Sequence, residues 1–298
     1  MSMVLFDVPG PKARVRHKIM AVAGIVVALA AVAYVVWRFI ATDQFSARRL
    51  DWINYKQIQL SLVEAIGNTL SAFAVGAVLA LVFGAIFAAA RLSDHGWVRA
   101  PAAVIVEIFR AIPLVIMMFF FYYGLPVAGV KLSAFTAVVI SLMLYNGSVL
   151  AEIFRAGINA LPRGQSEAAY ALGMRKTQVM TLVLLPQALR AMLPTIISQL
   201  VVLLKDTALG FLITYEELLR WGTRIGNDAV NFGRPMIPVM IVVALIYIGL
   251  CLLLTWLANY LEKRNRRNKK VIHTDDDAAA QVQLGAASTA TVGGGLTV

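Results

Sequence analysis

Six apolar stretches, a scarcity of charge and a one-sided distribution of basic residues predict an all-α integral membrane protein with about six transmembrane helices. Of 298 residues, 60% are hydrophobic and only 14% charged, and the mean hydropathy is +0.76. A soluble domain carries about 25% charged residues to cover its surface, so a lipid bilayer is the natural solvent for this chain. The formal charge of +11 does not point to nucleic acid. The basic residues sit in the gaps between apolar runs rather than on one soluble domain, the distribution that orients a membrane protein. Cys251 is the one cysteine and His17, His95 and His273 are scattered, so neither an internal disulfide nor a zinc site is expected.

The stretches long enough to cross the hydrocarbon, about 20 residues each, are 19–40, 66–90, 101–123, 134–154, 188–213 and 236–260. The first follows Lys12, Arg14, Arg16 and Lys18, and Ala28-Leu29-Ala30 within it resembles a cleavage site. Its apolar run continues through Tyr34 and Trp37 to Ile40, longer than a signal-peptide core, so a retained anchor is expected. With the N-terminus placed in the cytoplasm, inner segments hold 17 Lys and Arg and outer segments 7, while Arg38, Arg110 and Lys205 lie in or at the edge of spans. That bias predicts both termini on the cytoplasmic side of the plasma membrane.

Residues 155–187, between the fourth and fifth spans, are too polar to cross the membrane and too patterned to be a linker. Pro162 and Gly164 break the chain, and 165–172 is then rich in helix formers. Gly173 can end that helix in a left-handed cap, and Thr177 can cap a second segment, 178–185, closed by Pro186. Alanines at 168, 169 and 171 make the first helix thin, and Glu167 lies at the positive end of its dipole. Two readings stand: a helix that docks in another protein, or an amphipathic helix resting on lipid headgroups.

At this point the residues resemble a known family. Glu167-Ala168-Ala169, three residues, Gly173, nine residues and then Val183-Leu184-Leu185-Pro186 are similar to the EAA loop of binding-protein-dependent ABC importer permeases, with Val183 for the usual isoleucine. Ala151-Glu152-Ile153-Phe154-Arg155-Ala156-Gly157-Ile158, Leu161-Pro162-Arg163-Gly164-Gln165, Leu185-Pro186-Gln187-Ala188-Leu189-Arg190 and Leu203-Leu204-Lys205-Asp206-Thr207-Ala208-Leu209 resemble the polar amino-acid branch. Phe109-Arg110-Ala111-Ile112-Pro113-Leu114 does too, but with Ala111 and Ile112 for glycine and threonine. The additional N-terminal span and the tail resemble actinobacterial glutamate-uptake permeases.

The resemblance implies a type I importer permease fold. Residues 1–18 would be a basic cytoplasmic N-terminus, 19–40 an additional anchor, 66–260 a five-helix permease domain, and 261–298 a basic and then disordered cytoplasmic tail. It implies that Glu167, Ala168, Ala169, Gly173 and Pro186 couple the chain to an ATPase. The implied partners are two ATP-binding cassette subunits, a second permease chain, identical or homologous, an extracytoplasmic amino-acid-binding protein and the amino-acid substrate. Gly124-Leu125-Pro126-Val127-Ala128-Gly129 lacks the Gly-Lys-Ser/Thr of a phosphate loop, so the chain is expected to be non-catalytic, to bind no cofactor and to rely on ATP hydrolysed by the partner.

Charges inside spans are costly and are either functional or paired. Glu107/Arg110 and Glu152/Arg155 are three residues apart, so each pair can meet on one helix face and act as a strut. Lys205 and Asp206 are neighbours that cannot face one another. They reach other helices or border an aqueous cavity, where both signs suit a zwitterionic amino acid. Arg110, Glu152, Arg155, Lys205, Asp206 and Thr207 are therefore the candidate pathway residues. A secondary amino-acid transporter is the alternative, but it would often show two similar halves with broken helices, and it has no need of the 167–186 helix pair.

The topology is testable by placing single cysteines at Leu50, Val130, Tyr170, Ile225 and Ala280 in a Cys251→Ser background. Impermeant thiol reagent should reach positions 50, 130 and 225 from outside. External labelling at position 170 overturns the scheme.

Overall fold

The computed structural model of the chain describes residues 10–267; the first nine residues and the expected tail from 268 onward lie outside the described residues. Its principal helices are α1 (Pro11–Ala41), α2 (Lys56–Arg91), α3 (Gly96–Ala111), α4 (Leu114–Ala128), α5 (Ala134–Asn159), α6 (Arg163–Ala171), α7 (Lys176–Ile213), α8 (Leu218–Gly226) and α9 (Met236–Arg267). Among the described residues five helices are long and apolar enough to cross a bilayer, and α3 and α4 taken together as one bent pair bring the number to six.

Three expectations change. The third span is not a continuous helix: α3 and α4 meet at 95°. Pro113 lacks an N–H and disfavours helical backbone before it, and Ile112 is extended at φ −79° and ψ 125°. The second span begins at Lys56 rather than 66, because Lys56, Gln57, Gln59 and Glu64 hide its first turns from a reading by hydropathy. At 36 residues α2 is about 54 Å long, well beyond the ~30 Å of hydrocarbon.

The third change is at Pro186, which does not close a separate helix. The segment starting at Lys176 runs on to Ile213, so the expected second loop helix and the fifth span are one rod. Its cap is at Arg175, whose N–H donates to Gln178 Oε1 at 2.9 Å, and not at Thr177. Val179–Leu184 form a widened π turn, and the α register restarts at Leu185. Pro186, in the first turn of the new register, therefore removes no essential hydrogen bond.

The core forms where α2 lies against α5, the most extensive helix contact. Ala72, Ala77, Ala80 and Ala88 are buried along α2, the small-residue face that lets helices approach in lipid. At Gly84 a Cβ would stand 2.8 Å from Leu150 Cβ and 3.1 Å from the Gly147 carbonyl oxygen, so even alanine would push the helices apart. Leu114, Met117, Met118, Leu142 and Leu203 complete this cluster. Ser133 Oγ caps α5 by accepting the Thr136 N–H at 3.1 Å.

A second cluster joins Trp52, Leu218, Trp221, Phe232, Val239 and Val243. Beside it Glu217, fully buried, caps α8: its carboxylate accepts from the Arg220 N–H (2.6 Å), the Leu219 N–H (2.7 Å) and Tyr247 Oη–H (2.7 Å). No residue of α1 is buried. Residues 253–267, which continue α9, are a unit by themselves, with Trp256 stacked on Tyr260 at 5.8 Å.

Burial pushes the Glu217 carboxyl up from 4.5 to about 7, against the opposing effect of its hydrogen bonds. A carboxyl raised above its unfolded value stabilises the fold when protonated. That contribution, on the order of 3 kcal/mol at most, is fully present below about 4.5 and is lost as pH rises through about 7. The melting temperature of the full chain in detergent should therefore fall between pH 5 and pH 8, and Glu217→Gln should flatten the profile. Equal slopes in the two proteins would refute the assignment.

Candidate functional site

The loop after α5 is built around its glycine. Gly173 has φ +77° and open space where a Cβ would lie, so its requirement is purely conformational. Its N–H donates to the Tyr170 carbonyl (2.9 Å) and the Met174 N–H to the Ala169 carbonyl (3.2 Å), the paired bonds of a Schellman cap. Ala169 is buried, while Glu167, Ala168 and Pro186 are exposed; α6 rests on the Val179–Leu184 turn, and Gln187 Nε2 reaches Gln165 Oε1 at 3.3 Å. Leu172 is 83% exposed and Tyr170 49%. Sequence reading had not singled out these two side chains. Apolar groups so exposed on a thin, alanine-rich helix make a surface that another molecule can cover.

A second constellation lies where the helices end on the same side of the molecule. Arg155 donates to both oxygens of Glu152 (3.2 and 2.5 Å), as the three-residue spacing predicts. Glu107, however, does not pair with Arg110. Its partner is Arg91 at 3.7 Å, and Arg91 Nη1 also lies 2.8 Å from Glu152 Oε2. That nitrogen has no well-directed hydrogen-bond acceptor; at 2.8 Å the attraction is electrostatic whatever the N–H direction. Arg91, its side chain only 10% exposed, thus holds the ends of α2, α3 and α5 together. Arg110 is exposed on α3.

Deeper in the bundle, Asp206 Oδ2 accepts from Asn146 Nδ2 at 3.1 Å, and Asn146 Oδ1 accepts from Gln199 Nε2 at 2.7 Å. Asn146 is fully buried. Asp206 reaches another helix as expected, yet no cation pairs with it among the described residues. Lys205 is exposed, and no ion pair joins it to Asp206 among the described residues. Thr207 is buried and its hydroxyl donates to the Leu204 carbonyl at 2.6 Å, so its proton is already used within the helix. Asn146 and Gln199 were not anticipated. Their signal was a carboxamide amid apolar spans, where unsatisfied polar groups are costly.

Residues 80–267 match the family described as binding-protein-dependent transport system inner membrane component. The chain is 43% identical over 221 residues to the glutamate transport system permease protein GluD of Corynebacterium glutamicum, covering 73% of this chain and 80% of that one. It is 34% identical over 190 residues to the probable glutamine ABC transporter permease protein GlnP of Bacillus subtilis, covering 64% and 87%. Among solved structures, an amino acid ABC transporter with histidines superposes with a TM-score of 0.65 at 28% identity, over 72% of this chain and 99% of that one. The inward-facing MetNI methionine ABC transporter superposes at 0.59 and 21% identity, over 70% and 98%, a likeness of fold alone.

The Asn146–Asp206 contact carries a stability prediction. Asn146→Leu leaves the Asp206 carboxylate without its amide donor and should cost about 1–3 kcal/mol, read as a lower melting temperature. Adding Asp206→Leu should recover most of that loss, because both polar partners are then gone. A single variant as stable as the parent would show that the contact is not made.

Proposed function

This chain belongs to the binding-protein-dependent transport system inner membrane components, and on that premise we propose that it imports an acidic amino acid, glutamate foremost. It is the multi-pass, non-catalytic permease subunit of an ATP-driven amino-acid importer of the plasma membrane, and it works with ATP-binding cassette subunits and a substrate-binding protein. The family assignment removes the alternative of a secondary transporter. The observation that carries the substrate is the 43% identity to the Corynebacterium glutamicum glutamate permease.

The charges near the end of α7 agree with it. A glutamate carries two carboxylates and one ammonium. Lys205 offers a cation without a partner among the described residues, and Asp206, hydrogen-bonded to Asn146, offers the opposite sign one residue on. Ala111 and Ile112, in place of the branch's glycine and threonine, leave position 112 without a hydroxyl for the ligand.

In the proposed assembly two ATP-binding cassette subunits serve two permease chains, and α6, with Glu167, Ala168 and Ala169, docks on the ATPase. Residues 66–260 form the permease domain, 19–40 an anchor added to it, and both termini face the cytoplasm. Closure of the ATPases on ATP displaces α6. The Gly173 turn leads from α6 into the base of α7, so the displacement tilts a helix that spans the membrane, a switch between two rigid arrangements.

The test is uptake into proteoliposomes holding the full complex and binding protein, with glutamate, glutamine, arginine and histidine as competitors. Glutamate should compete best. Lys205→Met should reduce glutamate uptake at least ~10-fold with complex yield and basal ATP hydrolysis unchanged, whereas Asp206→Asn should alter the ranking of competitors. Reduced yield with unaltered ranking would return both residues to a structural role, and a panel led by arginine would overturn the acidic substrate.

A further inference from the structure

The inner end of α5 packs on α7, where a Cβ at Gly157 would lie 2.7 Å from Met192 Cε, but α2 stands apart from α7 at this level. Between them is a cavity of about 550 Å³ lined largely by apolar side chains, among them Ala85, Ala88, Phe154, Met180, Leu185 and Met192. A close-packed interior resists displacement because it has no free volume. Here the first turns of α7 have room to move toward α2.

One polar contact stands at the rim of this cavity. Lys176, the first residue of α7, is ion-paired to Asp94, three residues beyond the end of α2. The hydrogen bond from Lys176 and then its charge hold the Asp94 carboxyl below its usual range. Among the described residues no other ion pair or hydrogen bond joins residues 176–190 to α2 or to the turn 92–95 that follows it. Both side chains are substantially exposed, 47% and 76%, so the pair contributes little to the stability of the fold.

The placement of the pair is what gives it a role. Lys176 follows the left-handed turn at Gly173 by three residues. Asp94 follows Arg91 by three residues, and Arg91 ties α2 to Glu107 of α3 and Glu152 of α5. The ion pair therefore connects the base of the α6 loop to the end of α2 and, through Arg91, to Glu107 of α3, a route separate from the chain that joins α6 to α5. The apolar cavity beneath it offers no second polar link.

We propose that Lys176–Asp94 is the transmission contact of this importer: it positions the base of α7 across the cavity and passes the displacement of α6 to α2 and, through Arg91, to α3. Both are positioning residues, and neither touches substrate or nucleotide. The proposal rests on the reading of α6 as the segment that docks on the ATPase. Losing the pair leaves docking and hydrolysis in place but separates them from transport, because α7 can then move into the cavity without taking α2 along.

The test uses the complete complex in proteoliposomes with glutamate-loaded binding protein and measures three quantities: ATPase subunit retained on purification, ATP hydrolysed, and glutamate imported per ATP. Asp94→Lys and Lys176→Asp should each retain the ATPase and hydrolyse ATP, yet import roughly fivefold less glutamate per ATP. The exchanged double variant, Asp94→Lys with Lys176→Asp, should recover most of that ratio, which a loss of packing alone would not allow. Where a charge reversal lowers the amount of complex, Asp94→Asn gives the same readout, and a normal ratio in that variant overturns the proposal. So does an exchanged double variant no better than the singles, or loss of the ATPase from either single variant. Gly173→Val in parallel should shed the ATPase. Its retention with normal coupling would remove the docking reading and this proposal with it, a failure distinguished from the others by which variant moves.

Discussion

The approach of α2 to α5 at Gly84 and Gly147 is the contact on which the remaining geometry depends. In lipid there is no hydrophobic drive to press two helices together, so their association rests on how closely the backbones come and on the dispersion contacts that follow. A Cβ at Gly84 would stand 2.8 Å from Leu150 Cβ, and one at Gly147 would stand 2.8 Å from Phe83 Cδ1. With the helices locked at that depth, Arg91 arrives beside Glu152 at one end. Asn146, next to Gly147, is buried where it can bridge Asp206 and Gln199. Both polar sites are set by a contact that contains no polar side chain.

The molecule contrasts tight and loose interfaces. Around Gly84 the packing leaves no space, whereas the inner ends of α2, α5 and α7 surround a cavity of about 550 Å³. A permease that alternates between two arrangements needs both: rigid units that move without deforming, and free volume between them. The continuity of α7 from Lys176 to Ile213 matters for the same reason. A displacement at its base reaches the level of Asp206 through hydrogen-bonded helix, while a break at Pro186 would have absorbed it in a hinge.

Much of the fold was legible in the chain because its signals are local. The apolar runs marked the crossings, and Gly173 marked a left-handed turn that the φ of +77° bears out. Glu152 and Arg155 met as their spacing required. Prolines were harder to read, since their effect depends on the register around them. Pro113 breaks the third crossing, where an uninterrupted run was expected. Pro186 lies within a helix because a widened turn precedes it. Arg91 looked like an orienting charge at the end of a span, and Glu107 had a nearer candidate in Arg110. Nothing in the spacing says that the end of α5 passes within 2.8 Å of Arg91.

By itself the sequence determined the membrane as solvent, the crossings, their sidedness through the basic residues, and the turn at Gly173. Each follows from properties summed over a window of chain or from the conformational freedom of one residue. Only the tertiary structure decided that Arg91 serves Glu107 and Glu152, that Asn146 is the residue that holds Asp206, and that Lys176 meets Asp94 at the rim of a cavity. Those partners lie far apart along the chain, and a side chain of a few ångströms finds one or another according to where two helix backbones come to rest.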